Sequence, residues 1–381
     1  MVDRSYHVVV VGGGPAGSST ALRLAELGRS VLLVERTKYE RFRIGETLPP
    51  GARPLLEQLG LWASFASQSH RPSYAIHSWW AGSSQALETN FIFSPYGCGW
   101  HLDRNKFDSD LAAAAERGGV KVLLESRVEE IFRKGQGWEL VVHNEEGRHR
   151  IHTTYLVDAA GRSGRMLQAE GRRICCDRMI GIAGTLQPWP EKPSADPVLL
   201  LEAVEDGWWY SVPLPSGCLL ATFLTDADYV AESRQSHQMF WSRLLQHTVH
   251  TKLRAQNFDF PKDVHIYAAS TTYRSRSVGA NWAAVGDSAS TFDPLSAAGI
   301  CKAIQSGLIL AEGIHHQLNG TSDSLHDYER MVLKEFRGYM KQRLYYYGLE
   351  RRWPKSRFWS RRQAQETGQS FDRELSLGRD E

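Results

Sequence analysis

The chain has 381 residues, enough to bury a large core and to form about two domains. Hydrophobic residues make up 42%, charged residues 23%, and the formal net charge is +2, as is ordinary for a folded globular protein. No stretch has the pattern of a membrane span or a signal peptide, so we expect a cytoplasmic protein whose partners are neither membranes nor nucleic acids.

The five cysteines are an odd number and lack the spacing of metal ligands. Two of them are adjacent, which is poor geometry for a disulfide bridge. We therefore expect reduced thiols and no metal site; the cysteines are Cys98, Cys175, Cys176, Cys218 and Cys301.

The first predicted element is a buried strand at His7 to Val11, followed by glycines with the spacing G-x-G-x-x-G and then by an amphipathic helix. In a nucleotide-binding turn the first glycine permits the bend, the second admits a pyrophosphate and the third lets helix and strand pack closely. The helix N-terminus then faces negative charge. We predict that this turn binds a cofactor through Gly12, Gly14, Pro15, Ala16 and Gly17.

A second strand, Ser30 to Leu33, leads to Glu35, which lies eighteen residues after Gly17. A carboxylate at this distance can accept hydrogen bonds from both ribose hydroxyls of an adenosine, and it would repel a 2′-phosphate. A glycine triplet alone could be an ordinary loop, but strand, helix, second strand and acid together favour dinucleotide binding. Arg36 and Arg43 are placed with Glu35 in the predicted site.

The sequence RIGETLPP at Arg43 to Pro50 predicts a stiff loop near the nucleotide, because two prolines end regular structure. Glu46 in this loop could be a solvated acid or part of the site. The glycine turn, Glu35 and GETLPP together resemble the flavin-dependent monooxygenase and tryptophan halogenase superfamily. The form GETLPP is similar in particular to the LodB and GoxB type flavoproteins, which mature the quinone cofactor of amino-acid oxidases.

This resemblance implies FAD as the cofactor and an α/β (α+β) fold. It implies a Rossmann-like FAD-binding domain of the hydroxybenzoate-hydroxylase type, an inserted β-rich substrate domain and a C-terminal helical tail. We expect the FAD-binding domain at 1–72, 98–173 and 268–320, and the substrate domain at 73–97 and 174–267. The C-terminal helical region would be 321–381, with a disordered end.

Further cofactor contacts follow from the same resemblance. Arg104 ends the motif GWHLDR, where an arginine of the superfamily contacts the flavin, although a surface arginine capping a turn is the alternative. Backbone at the Val128 position passes beside the adenine in relatives. The motif YLVDAAGRSG at 155–164 resembles the second fingerprint, which places Asp158 and Gly161 near the pyrophosphate, unless the acid only caps a turn.

The third fingerprint is NWAAVGDSASTFDPLSAAGI at 281–300. In the superfamily its acid holds the ribityl chain, and the helix after its last glycine faces the pyrimidine end of the flavin, which becomes anionic on reduction. A helix N-terminus suits that charge. The predicted contacts are Gly286, Asp287, Pro294, Gly299 and Ile300.

The remaining chain carries few chemical signals. In the substrate half, Trp79, Trp80, Trp208 and Trp209 either line the pocket or are core, and the polar candidates His70, His77, Tyr210 and His237 cannot be ranked, so no catalytic residue is assigned. Ser324 to Glu350 predicts a long amphipathic helix. The segment 330–362 contains eleven Lys or Arg and two Glu, together with Trp353, Phe358 and Trp359, and is either a solvated basic region or a docking face for an acidic protein.

From the resemblance, the expected function is hydroxylation of a tryptophan side chain in a precursor protein, on the way to a tryptophan-derived quinone. Electrons would come from NAD(P)H or a reductase, since the chain has one G-x-G-x-x-G motif and no separate nicotinamide domain. The alternatives are a small-molecule aromatic hydroxylase or halogenase, a prenyl reductase and a non-catalytic chaperone. A halogenase needs a lysine shortly after the GE motif, and no lysine occurs between Lys38 and Lys106.

Overall fold

The computed structural model describes residues 4–164, 166–191, 195–321 and 324–363, and it confirms the predicted mixed α/β fold. The predicted disordered end begins at Gln363, which is instead the last residue of a helix, and residues 364–381 lie outside the described part of the chain. The strands are β1 Arg4–Val11, β2 Val31–Val34, β3 Thr47–Leu48, β4 Arg71–Ser73, β5 Ala75–Trp79, β6 Leu87–Asn90, β7 Gly99–His101, β8 Lys121–Leu123, β9 Arg127–Lys134, β10 Gly137–Asn144, β11 Gly147–Asp158, β12 Arg173–Cys175, β13 Met179–Pro188, β14 Leu199–Val204, β15 Gly207–Pro213, β16 Leu219–Asp226, β17 Phe258–Asp259, β18 Val264–Ala268, β19 Thr272–Arg274, β20 Val278–Gly279, β21 Trp282–Ala284 and β22 Ser290–Thr291.

Helices alternate with the strands and form the last part of the described chain. They are α1 Pro15–Glu26, α2 Ala52–Gln58, α3 Trp62–Ala66, α4 Arg104–Arg117, α5 Ala227–Glu232, α6 His237–Gln246, α7 His250–Arg254, α8 Gly299–Leu318, α9 Ser324–Leu349 and α10 Arg357–Gln363. Single 3₁₀ turns lie at Phe91–Phe93, Gly161–Ser163, Gly286–Ser288 and Pro294–Ser296.

The first sheet is organised around β1, in which Val8, Val9 and Val10 are fully buried, as is typical of a strand covered on both faces. Its strand order is β20-β21-β11-β1-β2-β8, with β10 and β9 extending from β11. β1 runs parallel to β2 and to β11, so the chain segments that follow these strands begin at one common edge. In an open parallel sheet, ligands bind outside this edge.

The second sheet has the order β17-β13-β16-β15-β14-β5-β6, with β18 paired to β13. Neighbouring side chains on a strand point to opposite faces, and Trp208 and Trp209 on β15 follow this rule. Trp208 packs with Tyr347 on one face, whereas Trp209 packs with Trp241 on the other, and both tryptophans are fully buried. Both tryptophans are therefore packed in the core of the second sheet.

A small sheet of β3, β7 and β4 lies between the two large ones. Thr47 and Leu48 of the GETLPP loop pair with His101 and Trp100 of β7. The Leu102 amide then donates to the Glu46 carbonyl at 2.7 Å. These contacts hold the loop in extended form beside the start of α4.

The C-terminal region packs against the second sheet. Trp359 is 1% exposed, and its indole Nε1 donates to the Val204 carbonyl at 3.0 Å. The arginines of α10 pair with acids of the same sheet and of α5: Arg362 and Arg361 with Asp226, and Arg357 with Asp228. The docking interpretation is wrong for Trp359, because its ring is buried, and the three arginines are paired with acids of the same chain.

The length and apolar character required of a bilayer-spanning helix are not combined in any helix of the described residues.

Candidate cofactor-binding site

The glycine turn between β1 and α1 has the geometry that each glycine of the motif predicts. Gly12 has φ +110°, and a Cβ there would lie 2.3 Å from the Ala159 carbonyl oxygen. A Cβ at Gly17 would lie 1.9 Å from the Gly12 carbonyl oxygen, so any side chain would push helix and strand apart. At Gly14, in contrast, a Cβ would meet no atom of the described chain within 4 Å. The backbone at Gly14 is therefore open to the close approach of a ligand.

The N-terminus of α1 faces this space. Pro15 occupies its first position, and among the described residues no side chain caps the helix and no acid lies in its first turn. The first amide groups therefore keep unpaired donors and a partial positive charge. Gly286 has φ +60° and packs closely against Ala16, since a Cβ at position 286 would lie 2.7 Å from the Ala16 Cβ. The third fingerprint therefore contacts this turn. A phosphate group fits here.

Glu35 lies beside the turn and is 5% exposed. Its Oε2 accepts from the Gly13 amide at 2.8 Å, and its Oε1 accepts from the hydroxyl of Thr37 at 2.7 Å. Arg43 Nη2 approaches Oε1 at 3.3 Å. Oε1 also accepts from the Thr37 amide at 3.0 Å, so its lone pairs are taken, whereas Oε2 keeps a lone pair for a ribose hydroxyl.

Asp108 on α4 joins two of the predicted arginines. Its carboxylate is fully buried, with Oδ2 3.0 Å from both Arg43 Nη1 and Arg104 Nη2. Arg104 also donates to the carbonyls of Ile44 and Gly45. Burial opposes the charge of the Arg104 guanidinium, but Asp108 more than offsets this and holds its pKa above the usual value. The resulting network fixes the loop that leads to Glu46.

Asp287, the acid of the third fingerprint, is partly exposed and lies between two cations. Its Oδ1 is 3.2 Å from Lys302 Nζ, and its Oδ2 is 3.2 Å from Arg162 Nε. Burial favours the neutral acid, yet Lys302 and Arg162 outweigh burial and hold the pKa of Asp287 below its usual value. Asp287 is therefore a charged acceptor beside the start of α8.

Asp158 of the second fingerprint has a different environment. It is fully buried, and its carboxylate is 3.1 Å from Arg274 Nη2 and accepts from the Ser288 hydroxyl at 2.9 Å. The same hydroxyl accepts from the Gly161 amide. The Asp158 side chain thus ties the second fingerprint to the third and supports the turn, which matches the alternative of a turn-capping acid. Its predicted contact with the pyrophosphate has no support in this geometry.

The loop before α8 presents a second free helix end. Ala297 has φ +47°, and a Cβ at Gly299 would meet open space in the described chain. In residues 195–321 no side chain caps α8, which runs for 20 residues. Asp293, just before Pro294, is held from α9: its Oδ2 is 3.3 Å from Arg343 Nε and 3.1 Å from the Tyr347 hydroxyl.

The remaining predicted residues lie around this edge. Val128 is half-buried in β9. A hydrogen bond from the Ser126 amide to the Glu35 carbonyl, at 2.9 Å, holds the start of this strand beside Glu35. Arg36 is exposed next to Glu35. Ile300 is 6% exposed in the core, so only its backbone can face a ligand.

Glu46, the acid of the loop at 43–50, is buried, with 4% exposed. Tyr210 on β15 donates its hydroxyl to Oε2 at 3.4 Å. Burial raises the pKa of Glu46 to about 7. The alternative of a solvated loop acid is wrong, because the second sheet covers this side chain.

The assembled edge fits FAD. The open glycine turn and the uncapped α1 suit a pyrophosphate, Glu35 suits the ribose, and Asp287 with the uncapped α8 suits the ribityl chain and the flavin ring. Sequence reasoning missed Asp108, Lys302 and Arg162. The four-residue spacing of Arg104 and Asp108 on one helix face could have indicated the first pair; Lys302 and Arg162 depend on contacts between distant segments.

Comparisons with known proteins agree with this geometry. The FAD binding domain family matches residues 5–334. The chain is 30% identical over 367 residues to LodB of Marinomonas mediterranea, described as an FAD-dependent oxidoreductase, covering 94% of this chain and 97% of that protein. It is 26% identical to a tryptophan 2-halogenase of Chondromyces crocatus, covering 84% of this chain and 63% of that one.

Two solved structures share the fold. The myxobacterial chondrochloren halogenase CndH superposes with a TM-score of 0.88 at 23% identity, over 99% of this chain and 91% of its own. The peptidyl tryptophan dihydroxylase QhpG, essential for tryptophylquinone cofactor biogenesis, superposes with a TM-score of 0.71 at 24% identity, over 94% of this chain and 79% of its own. Both hydroxylase and halogenase chemistries therefore occur on this fold.

Proposed function

The chain belongs to the FAD binding domain family and is an FAD-dependent oxidoreductase. We propose that it hydroxylates a tryptophan side chain within a precursor polypeptide. The product would be an intermediate of a tryptophan-derived quinone cofactor. The observation that carries the proposal is the likeness to LodB over nearly the whole of both chains. The shared fold with QhpG, a peptidyl tryptophan dihydroxylase, supports the substrate class.

In this proposal the chain's own residues bind and orient the cofactor. The backbone at Gly14 and the free end of α1 hold the pyrophosphate, and Glu35 holds the adenosine ribose. Asp287, kept charged by Lys302, binds the ribityl hydroxyls. When bound, FAD activates molecular oxygen after it has been reduced by an external two-electron donor.

The free N-terminus of α8 would lie at the pyrimidine end of the flavin, where its partial positive charge stabilises an anion. The second sheet would close the other side with a buried surface of aliphatic and aromatic side chains, which excludes water from the reacting atoms. Nicotinamide or a separate flavin reductase supplies the electrons, since the single dinucleotide fingerprint is taken by FAD.

Halogenation is the second candidate, because several relatives are flavin-dependent halogenases and the CndH fold superposes well. Two features of the chain disfavour it. The expected tunnel lysine is missing, since no lysine occurs between Lys38 and Lys106. The halogenase block G-W-x-W-x-I-P is present only as GWWYSVP at 207–213.

The test is co-expression with a candidate precursor protein, followed by mass spectrometry of its tryptophan peptides. We expect the mass of one or two added oxygen atoms on tryptophan, and none when the enzyme carries Gly14→Val. Precursor peptides with unchanged mass across the candidate partners, or with a halogen in place of oxygen, would remove the proposal. NADH, NADPH and a flavin reductase are supplied in parallel to identify the electron donor.

A further inference from the structure

One buried acid of the site has an unused oxygen. Glu46 is 4% exposed, and its Oε1 accepts no hydrogen bond from any residue that the structure describes. Its Oε2 is occupied by the Tyr210 hydroxyl. An unpartnered carboxylate oxygen in a buried position is costly, and such positions mark ligand or catalytic sites in native proteins.

Glu46 lies where the edge of the first sheet that carries the predicted cofactor residues meets the second sheet. Ile44 of the same loop packs into the apolar cluster of that sheet, together with Leu295 and Ala297 of the loop that opens α8. Arg104 interacts electrostatically with both Glu46 and Asp287. Glu46 is therefore close to the flavin end of the site and covered by the substrate sheet.

The polar groups around Glu46 come from three elements. Arg104 on α4 supplies positive charge, Tyr210 on β15 supplies a hydrogen bond, and Tyr267 on β18 interacts with both Tyr210 and Glu46. The Tyr267 hydroxyl has no hydrogen bond of good geometry among the described residues. Burial raises the pKa of Glu46 to about 7, while the backbone amides of Glu46 and Gly45, the charge of Arg104 and the Tyr210 hydroxyl act in the opposite direction. An acid that titrates near neutral pH can both accept and release a proton.

We propose that Glu46 is the acid–base residue of this site, with its free Oε1 accepting a proton from the aromatic ring of the substrate while Tyr210 holds Oε2. The inference rests on the proposed function. After oxygen has been added to a ring carbon, that carbon carries both a hydrogen and a hydroxyl group, and the ring is cationic. The C–H bond breaks, its electron pair restores aromaticity, and the proton forms an O–H bond on the Glu46 carboxylate, which becomes neutral. No electron is gained or lost in this step.

The experiment compares Glu46→Gln and Tyr210→Phe with the control Glu40→Gln. Glu40 is an exposed acid in the same segment between β2 and β3. The absorbance of bound FAD is titrated with pH in the absence of substrate, because a nearby carboxylate that ionises shifts the flavin bands. We expect a transition near pH 7 in the wild type and in the control, and none in Glu46→Gln. The transition should move to higher pH in Tyr210→Phe, since the lost hydrogen bond stabilised the charged acid.

Hydroxylation supplies the second measurement. Glu46→Gln should keep its FAD but lower kcat by about 10² to 10⁴-fold, the range of general acid–base catalysis. A flavin transition near pH 7 that persists in Glu46→Gln, or an unchanged kcat, overturns the inference. So does a Glu46→Gln protein that loses FAD or melts far below the wild type together with an unshifted transition in Tyr210→Phe, because the acid would then be structural.

The two proposals fail in different ways. If no precursor is hydroxylated by the wild type, the proposed function is wrong, whereas the flavin titration still reports whether Glu46 ionises at the cofactor. If tryptophan is hydroxylated equally well by Glu46→Gln, the function stands and the assignment of Glu46 is wrong.

Discussion

Trp359→Ala tests whether the C-terminal region is part of the scaffold. The Trp359 ring is 1% exposed and lies 5.2 Å from the ring of Trp80 and 5.1 Å from that of Phe358, measured between centroids. Its Nε1 donates to the Val204 carbonyl. Truncating a buried tryptophan removes its transfer free energy and leaves a cavity, which costs about 3 to 5 kcal/mol.

The assay is unfolding by urea and by heat. With an unfolding entropy of about 2.1 cal/mol/K per residue, this loss corresponds to a fall in Tm of roughly 4 to 6 °C. Trp189→Ala is the matched control: Trp189 is 41% exposed, and its indole donates to Asp259 at 2.8 Å. We expect the control to change the free energy of unfolding by less than about 1 kcal/mol.

The opposite pattern would refute this reasoning. If Trp359→Ala unfolded with the same midpoint as the control and bound a precursor protein more weakly, Trp359 would be an interface residue, and the buried packing described for α10 would be wrong. An equal loss of stability in both variants would show that the exposed Trp189 also carries packing energy.

Three further predictions concern the cofactor edge and its acid. Gly14→Val should abolish the flavin absorbance of the purified protein and leave the Tm of the cofactor-free protein nearly unchanged, because the side chain enters open space; full FAD occupancy would contradict it. Chloride or bromide with a flavin reductase should give no halogenated tryptophan above the no-enzyme control, since the tunnel lysine is missing. Glu46 has a folded-state pKa raised from 4.5 to about 7, so its contribution to stability is present below pH 4.5 and is lost as the pH rises through 7. The free energies of unfolding in urea of the cofactor-free wild type and Glu46→Gln should therefore diverge between pH 5 and 8, by up to about 3 kcal/mol in favour of Gln. A difference between the two proteins that does not change with pH would contradict the raised pKa.

Local rules made part of the site predictable. The positions of Gly12, Gly14 and Gly17 depend on a strand, a tight turn and a helix that adjoin in sequence, and their predicted uses agree with the space around each of them. The alternation of Trp208 and Trp209 between two faces likewise follows from strand geometry alone.

Other parts depend on segments that meet only after folding. The buried ion pair of Asp158 with Arg274, more than a hundred residues away in sequence, is one example. The arginines of α10 read as a free basic surface until the acids Asp226 and Asp228 are placed opposite them. Composition and spacing carry no information on such pairings.

The pairing of β1 with distant strands has a consequence for synthesis of the protein. β1 pairs with β11, β11 pairs with β21, and Gly286 then packs on Ala16. About 270 residues separate the glycine turn from Asp287, which corresponds to roughly 15 to 60 s of translation at 5 to 20 residues per second. During that time the glycine turn has been synthesised but the segment with Gly286 and Asp287, which packs against it, has not. We therefore expect FAD to bind only a nearly complete chain, and a product truncated before Lys302 to be purified without it.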